Sequence, residues 1–187
     1  MFMRQDFAKS CRSAEFKLEP LASSKHLSGF DCAIAEYNEY LTNDALRSMS
    51  DHIALTWLLK ERTAGKIAAY MSLIMDAIKL SFSEKELHNL KYPFRTIPAM
   101  KIAKLAVDRS FSEKYKGIGT FMIDSAQRLA WACNTSYCAA RFLTVDADIE
   151  HDNGVLAFYQ KNGFIPNAEL YNKKRTTISM RKDIYTP

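Results

Sequence analysis

Glycine and proline are scarce in this chain. Six glycines and five prolines among 187 residues leave no low-complexity linker and no internal repeat. The four cysteines, Cys11, Cys32, Cys133 and Cys138, form no Cys-x-x-Cys pair and have no histidine at ligand spacing. That pattern argues against a metal centre and predicts reduced thiols, with Cys133 packed in a helix. His26, His52, His88 and His151 are scattered, so no Ser-His-Asp arrangement can be assembled from them. No apolar run reaches the length of about 18 residues that a membrane-spanning helix requires. The first ten residues lack the apolar core of a secretory signal, which predicts a cytoplasmic protein.

Two familiar nucleotide motifs are absent as well. A P-loop needs four residues between its first glycine and Gly-Lys-Ser/Thr, and Gly65-Lys66-Ile67 has neither the spacing nor the hydroxyl. A dinucleotide fingerprint needs a third glycine where Met122 stands.

What is present fits one α/β domain. Hydrophobic residues make up 48 % of the chain, well above the composition of disordered segments. Residues 1–14 read as a flexible leader and 15–187 as a single domain. Phe16 to Leu21 alternates as a first strand, and Leu27 to Met49 carries helical spacing. Ile53–Glu61 and Lys66–Met75 read as a hairpin across Arg62-Thr-Ala-Gly65. Ser83 is the expected cap of a short helix, with Glu86 as its capping-box partner. Tyr92–Pro98 reads as a loop and Met100–Val107 as a strand. Met122, Ala126, Leu129, Ala130 and Cys133 form one apolar stripe of a long helix. Arg141–Ala147, the Tyr159 helix, an apolar strand start at Phe164–Asn167, and Thr176–Arg181 complete the order. A net charge of +5 suits a polyanionic ligand or RNA as well as a solvated basic surface. Lys173-Lys174-Arg175 and Arg181-Lys182, at the two ends of the last strand, read as solvated charge, with RNA contact as the alternative.

The most informative stretch is Leu105-Ala-Val-Asp-Arg-Ser-Phe-Ser-Glu-Lys-Tyr-Lys-Gly-Ile-Gly-Thr120. A strand ends at Val107, a polar loop follows, and Gly117 and Gly119 open a helix. The N–H groups of a helix's first turn and its dipole form an anion site, and glycine lets the main chain approach the anion closely. Lys114 and Lys116 add full charges. Glycines before a helix also serve βα geometry alone. A second motif therefore matters. Asn153-Gly-Val-Leu-Ala-Phe-Tyr-Gln-Lys-Asn-Gly-Phe164 reads as a short helix closed by Gly163, with Asn153 or Asp152 as its N-cap.

The two motifs, in this order and flanking a strand, resemble those of the GNAT family of N-acetyltransferases. Lys114-Tyr-Lys-Gly-Ile-Gly119 matches the first, with Lys114 where the family has Arg or Gln. Phe158-Tyr-Gln-Lys-Asn-Gly-Phe164 matches the second without departure. The resemblance implies a mixed, mostly antiparallel sheet of six to seven strands with a splayed parallel pair, and helices on both faces. It implies acetyl-CoA as co-substrate, no metal, and a primary amine as acceptor. The main chain of Leu105, Ala106 and Val107 would hold the pantetheine arm, with the Val107 N–H polarising the thioester carbonyl. Lys114, Tyr115, Lys116, Gly117, Ile118, Gly119 and Thr120 would hold the diphosphate. Asn153 would reach the pantetheine, a role that coexists with helix capping. Tyr159 would protonate the departing thiolate, the alternative being a core tyrosine. Asp146 is a candidate base or a strand-end cap.

Phe30-Asp-Cys-Ala-Ile-Ala-Glu-Tyr-Asn-Glu-Tyr-Leu41 and Leu105–Arg109 resemble one branch in particular, the acetyltransferase toxins of toxin–antitoxin pairs. That branch implies aminoacyl-tRNA as acceptor and a ribbon-helix-helix antitoxin as partner. A homodimer is the family's habit. Two features depart from the branch: Ala33 stands where it has glycine, and Asp76–Pro98 is an enlarged connection. A module that binds acyl-CoA without turnover is a third reading, which intact Gly117, Gly119 and Tyr159 oppose.

Overall fold

The hairpin forms as expected. β3 (Leu55–Glu61) and β4 (Ile67–Lys79) pair antiparallel from Leu55↔Leu73 to Lys60↔Ile67. Gly65 closes the turn at φ 67°, a left-handed conformation that glycine adopts without steric cost. The computed structural model describes residues 5–6, 15–25, 27–151, 154–167 and 176–185. The hairpin's companions in the main sheet are β2 (Phe16–Pro20), β5 (Thr96–Val107), β7 (Phe142–Asp148), β8 (Ile165–Pro166) and β9 (Thr177–Asp183). Among the described residues this sheet has seven strands, in the order β2-β3-β4-β5-β7-β9-β8. β5 and β7 are the parallel pair, and the β2–β3, β3–β4, β7–β9 and β8–β9 ladders are antiparallel. A separate two-stranded ladder joins β1 (Gln5–Asp6) to β6 (Tyr115–Lys116).

The chain divides into two compact units, and β4, β5 and the long helix α4 (Ile118–Ser136) each contribute to both. The first unit comprises the residues up to Ile74 together with Ala103–Ser125. Its core gathers Leu21, Leu27, Phe30, Leu41, Leu58 and Tyr70. Tyr70 is fully buried, its hydroxyl donates to the Tyr37 carbonyl at 2.8 Å, and burial pushes the phenol well above its ordinary range. Helical spacing predicts a start at Leu27, but only a 3-10 turn forms at Leu27–Gly29. Helix α1 begins at Ala35 and runs as Ala35–Glu39, a π segment Tyr40–Asp44, and Ala45–Ser50. The intervening loop is fixed by Asp31, whose carboxylate accepts from the Ala33 N–H at 2.8 Å and the Asn38 amide at 3.1 Å. Such local side-chain bonds compete with helix formation.

The second unit comprises Met75–Ile102 and the residues from Ala126 on. Its apolar cluster is Ile78, Leu80, Ile97, Ala99 and Phe142. Helix α2 (Phe82–Leu87) is capped by Ser81, with Glu84 completing the capping box, so the expected cap at Ser83 is displaced by two residues. Both Ser-x-x-Glu spacings exist in the sequence; burial chooses between them. Glu84 is buried and its Oε1 accepts from Arg181 Nη1 at 2.7 Å, whereas Glu86 is exposed. Arg181, which reads as solvated in the sequence, is 1 % exposed. It also donates to Asn167 at 2.8 Å and to His88 Nε2 at 3.3 Å, and His88 Nδ1 meets Asp183 at 3.1 Å. Buried charges are tolerated only when paired in this way. β5 starts at Thr96, absorbing part of the expected loop. On α4, Met122, Ile123, Ala126 and Ala130 are buried; Leu129 and Cys133 are half-buried. The Cys133 thiol lies 3.2 Å from that of Cys138. No helix among the described residues is long and apolar enough to cross a membrane.

Candidate acyl-coenzyme site

The parallel ladder between β5 and β7 is short. It registers Ala99↔Phe142 to Ile102↔Val145, and β5 then continues for the five residues Ala103–Val107. Just past the strand, the Asp108 N–H donates to the Ala68 carbonyl of β4 at 2.9 Å. Successive main-chain groups of a strand point to opposite edges. Leu105 and Val107 therefore direct their N–H and C=O groups to the edge away from β4, while Ala106 faces β4 and buries its side chain.

Asp108 holds this strand end in place. It is the N-cap of α3 (Arg109–Lys114), accepting from the Ser110 and Phe111 N–H groups at 2.9 and 3.4 Å. Its second oxygen accepts from the Asp31 N–H at 3.0 Å, and the Arg109 N–H donates to the Asp31 carbonyl at 2.8 Å. Asp31's own carboxyl is held below its usual range by the Ala33 N–H and then the Asn38 amide. The Phe30-Asp31-Cys32 motif thus clamps the end of β5. Ala33, where the resembling branch has glycine, sits at φ 70°. Left-handed backbone costs a residue with a Cβ roughly 1–2 kcal/mol. A cavity of about 310 Å³ opens beside Asp108, lined by Gly29, Gly65, Lys66, Ser110 and Phe111; Leu105–Val107 and Lys114–Thr120 are not part of its lining.

The expected polar loop after Val107 is instead α3 followed by the β6 pairing. Within it, side chains divide by direction. Tyr115 is buried edge-on against Phe16, with ring centroids 5.6 Å apart, and Ile118 is buried as well. Lys114, Lys116 and Gly117 are exposed. The Lys114 ammonium stands 5.0 Å from the centre of the Tyr115 ring, whose hydroxyl raises the lysine's pKa. Gly117 has φ 88°, and its carbonyl accepts the first α4 bond, from the Phe121 N–H at 2.9 Å. Helix geometry leaves the N–H groups of Ile118, Gly119 and Thr120 without an i−4 partner. They are the donors an anion would meet, at the positive end of a 19-residue helix.

Tyr159 and Asp146 belong to the second unit. Tyr159 lies in α5 (Val155–Lys161), is 7 % exposed, and packs edge-on against Phe158 and Phe164 at 5.1 and 5.3 Å. Gly163, at φ 84°, ends the helix in a Schellman motif. The Phe164 N–H donates to the Tyr159 carbonyl and the Gly163 N–H to the Gln160 carbonyl, both at 3.0 Å. This is the physical content of Phe-Tyr-x-x-x-Gly-Phe: the glycine makes the turn and the second phenylalanine folds back onto the tyrosine. Asp146 is no strand-end cap, since β7 continues to Asp148; it pairs with Lys101. Asn153 and Asp152 lie outside the described residues, as do Lys173–Arg175. Among the described residues no cluster of His, Cys, Asp and Glu could hold a metal.

No protein-family model matches the chain, and no curated protein does. Solved structures do. AtaT complexed with acetyl-methionyl-tRNAfMet is similar at TM-score 0.73 and 22 % identity, over 88 % of this chain and 94 % of that one. A Tyr-to-Phe variant of KacT is similar at TM-score 0.72 and 19 % identity, over 89 % and 95 %. A mutant AtaT toxin bound to the C-terminus of the antitoxin AtaR and acetyl-CoA gives 0.67 and 20 %, over 89 % and 93 %. At such identities the likeness is one of fold, and it spans nearly the whole of each molecule. This chain has the fold of the toxin AtaT and of KacT.

Proposed function

We propose that this protein is a GNAT-type N-acetyltransferase that moves the acetyl group of acetyl-CoA onto the α-amino group of an aminoacyl-tRNA. The observation that carries the reading is the stretch of β5 beyond its parallel ladder, leading within ten residues to a glycine-opened helix N-terminus. The likeness to AtaT with its acetylated tRNA supports the choice of acceptor over other primary amines.

In this reading the pantetheine amides pair with Leu105 and Val107 as an added strand would. The Ala106 groups face β4, so its part is to fill the core beneath. The diphosphate sits over the first turn of α4, with Lys114, Lys116 and the main chain of Tyr115–Thr120 around it; Asn153 reaches the pantetheine. The neutral amine attacks the thioester carbon, a C–N bond forms, and the carbonyl becomes an oxyanion stabilised by the Val107 N–H. One such donor contributes about 3–4 kcal/mol. Collapse breaks the C–S bond, the Tyr159 phenol gives its proton to the thiolate, and the proton shed by the acylated nitrogen returns through water to the phenolate. A phenol suits this role because its ordinary pKa, near 10, lies above that of a thiol. The protein acts in the cytoplasm, as a homodimer, opposed by a small ribbon-helix-helix antitoxin; AtaT's complex with the AtaR C-terminus supports the antitoxin.

Mass spectrometry of aminoacyl-tRNA after incubation with acetyl-CoA tests the reading. The expected product is N-acetyl-aminoacyl-tRNA with release of free CoA. Acetylation of small amines alone would move the assignment to a metabolic transferase.

A further inference from the structure

The enlarged connection between β4 and β5, in the second unit, carries an unusual surface. Phe82, Tyr92 and Phe94 are 77 %, 61 % and 66 % exposed. They are not on a loose loop. Beneath α2, Glu84 is anchored to the buried Arg181, and His88 to Asp183. Above it, the Lys85 ammonium donates to the Phe94 carbonyl at 2.6 Å. Phe82 and Lys85 are three residues apart and share a face of the helix, so the Lys85 side chain bridges the two phenylalanines' segments. The charge around these rings has one dominant sign. Lys79, Lys91 and Arg95 are exposed. Glu84 and Glu86 are the acids between residues 79 and 95, and Glu84 is turned inward to Arg181.

Solvent-facing aromatic rings interleaved with cations fit unpaired nucleotides, whose bases stack on the rings while lysine and arginine meet the phosphates. We propose that this platform binds single-stranded RNA, namely the unpaired 3′ end of the acceptor tRNA. The proposal rests on the aminoacyl-tRNA reading above and assigns it a surface. An apolar protein partner is the less suitable occupant, because an interface core is depleted in the charge that surrounds these rings.

The test uses the full chain and fluorescently labelled, uncharged tRNA, so that binding is read apart from acetyl transfer. Phe82→Ala/Phe94→Ala is expected to weaken binding by at least about tenfold, given the stacking each base gains from an aromatic ring. Removing the unpaired 3′ nucleotides should weaken wild-type binding similarly and the double variant's no further. Lys79→Gln/Lys91→Gln/Arg95→Gln should lower the slope of log affinity against log salt by about two to three. The aromatic variant should keep the wild type's acetyl-CoA affinity and melting temperature, which shows that it is folded. Equal tRNA affinity for wild type and aromatic variant overturns the proposal. So does a variant that loses self-association or antitoxin binding while keeping its RNA affinity, which would make the patch a protein interface. If the wild type acetylates nothing, the transferase reading fails, and the tRNA affinities still decide this one.

Discussion

Two polar clusters in this molecule are built on opposite principles. At the end of β5, side chains hold main-chain groups in place: Asp108 accepts from the Asp31, Ser110 and Phe111 N–H groups, and the Arg109 N–H donates to the Asp31 carbonyl. Under α2 the reverse holds. Arg181, Glu84, Asn167, His88 and Asp183 satisfy one another, and Arg181 is sealed from solvent. Under the proposed function the first cluster keeps donors for a substrate; the second consumes its donors in fastening the β4–β5 connection to β9. Perturbing the first should therefore alter turnover or affinity, and perturbing the second should alter stability.

Glu84→Ala breaks that contrast most severely. It strands the buried Arg181 cation, and removal of one partner of a buried pair costs about 3–5 kcal/mol. Glu86→Ala, on the exposed side, should stay within about 0.5 kcal/mol. Urea unfolding of the two variants measures both. Under the proposed function, Tyr159→Phe keeps the ring packed against Phe158 and Phe164 and removes the hydroxyl assigned as the acid. Turnover should fall by about a hundredfold or more with acetyl-CoA affinity unchanged, as read from CoA release and calorimetry. Unchanged turnover would return Tyr159 to the core.

Smaller effects sharpen the boundary between the two clusters. Ala33→Gly relieves left-handed backbone at φ 70° while adding freedom to the unfolded chain. The net gain should be about 0.5–1 kcal/mol, seen as a higher denaturant midpoint. His88 supplies a pH signature. Its Nε2 accepts from Arg181, so its proton resides on Nδ1, toward Asp183. Burial, then the Arg181 charge, lowers its pKa from 6.5, with Arg141 acting in the same direction and Asp183 against it. The unfolded chain consequently binds this proton first. Stability should decline as pH falls below about 6.5 until the folded imidazole is itself protonated. A His88→Asn variant should show less decline in melting temperature across that interval.

The glycine-bearing elements are legible in the sequence because each glycine answers a local backbone demand. Gly65, Gly117 and Gly163 all have positive φ, and each stands where the sequence predicts a turn, a helix start or a helix end. The mixed sheet of six to seven strands with one parallel pair follows from the family resemblance; the order of its strands comes from the structure. Long-range pairing is not legible. Arg181 reads as a solvated strand end because its partners, Glu84, His88 and Asn167, are 97, 93 and 14 residues away. The same ion pair decides between two equivalent capping boxes, which no local rule could do. The loop after Val107 hides a helix for a different reason. Asp108 reads as the start of a polar loop, yet its capping of Ser110 and Phe111 needs only the next three residues.

The central claim is that β5's open edge and the first turn of α4 hold one ligand between them. Calorimetric titration of the purified chain with acetyl-CoA tests that directly. Saturable binding is predicted, weakened when Gly117, at φ 88°, is replaced by valine. Absence of binding by acetyl-CoA and by longer acyl-CoAs would contradict it.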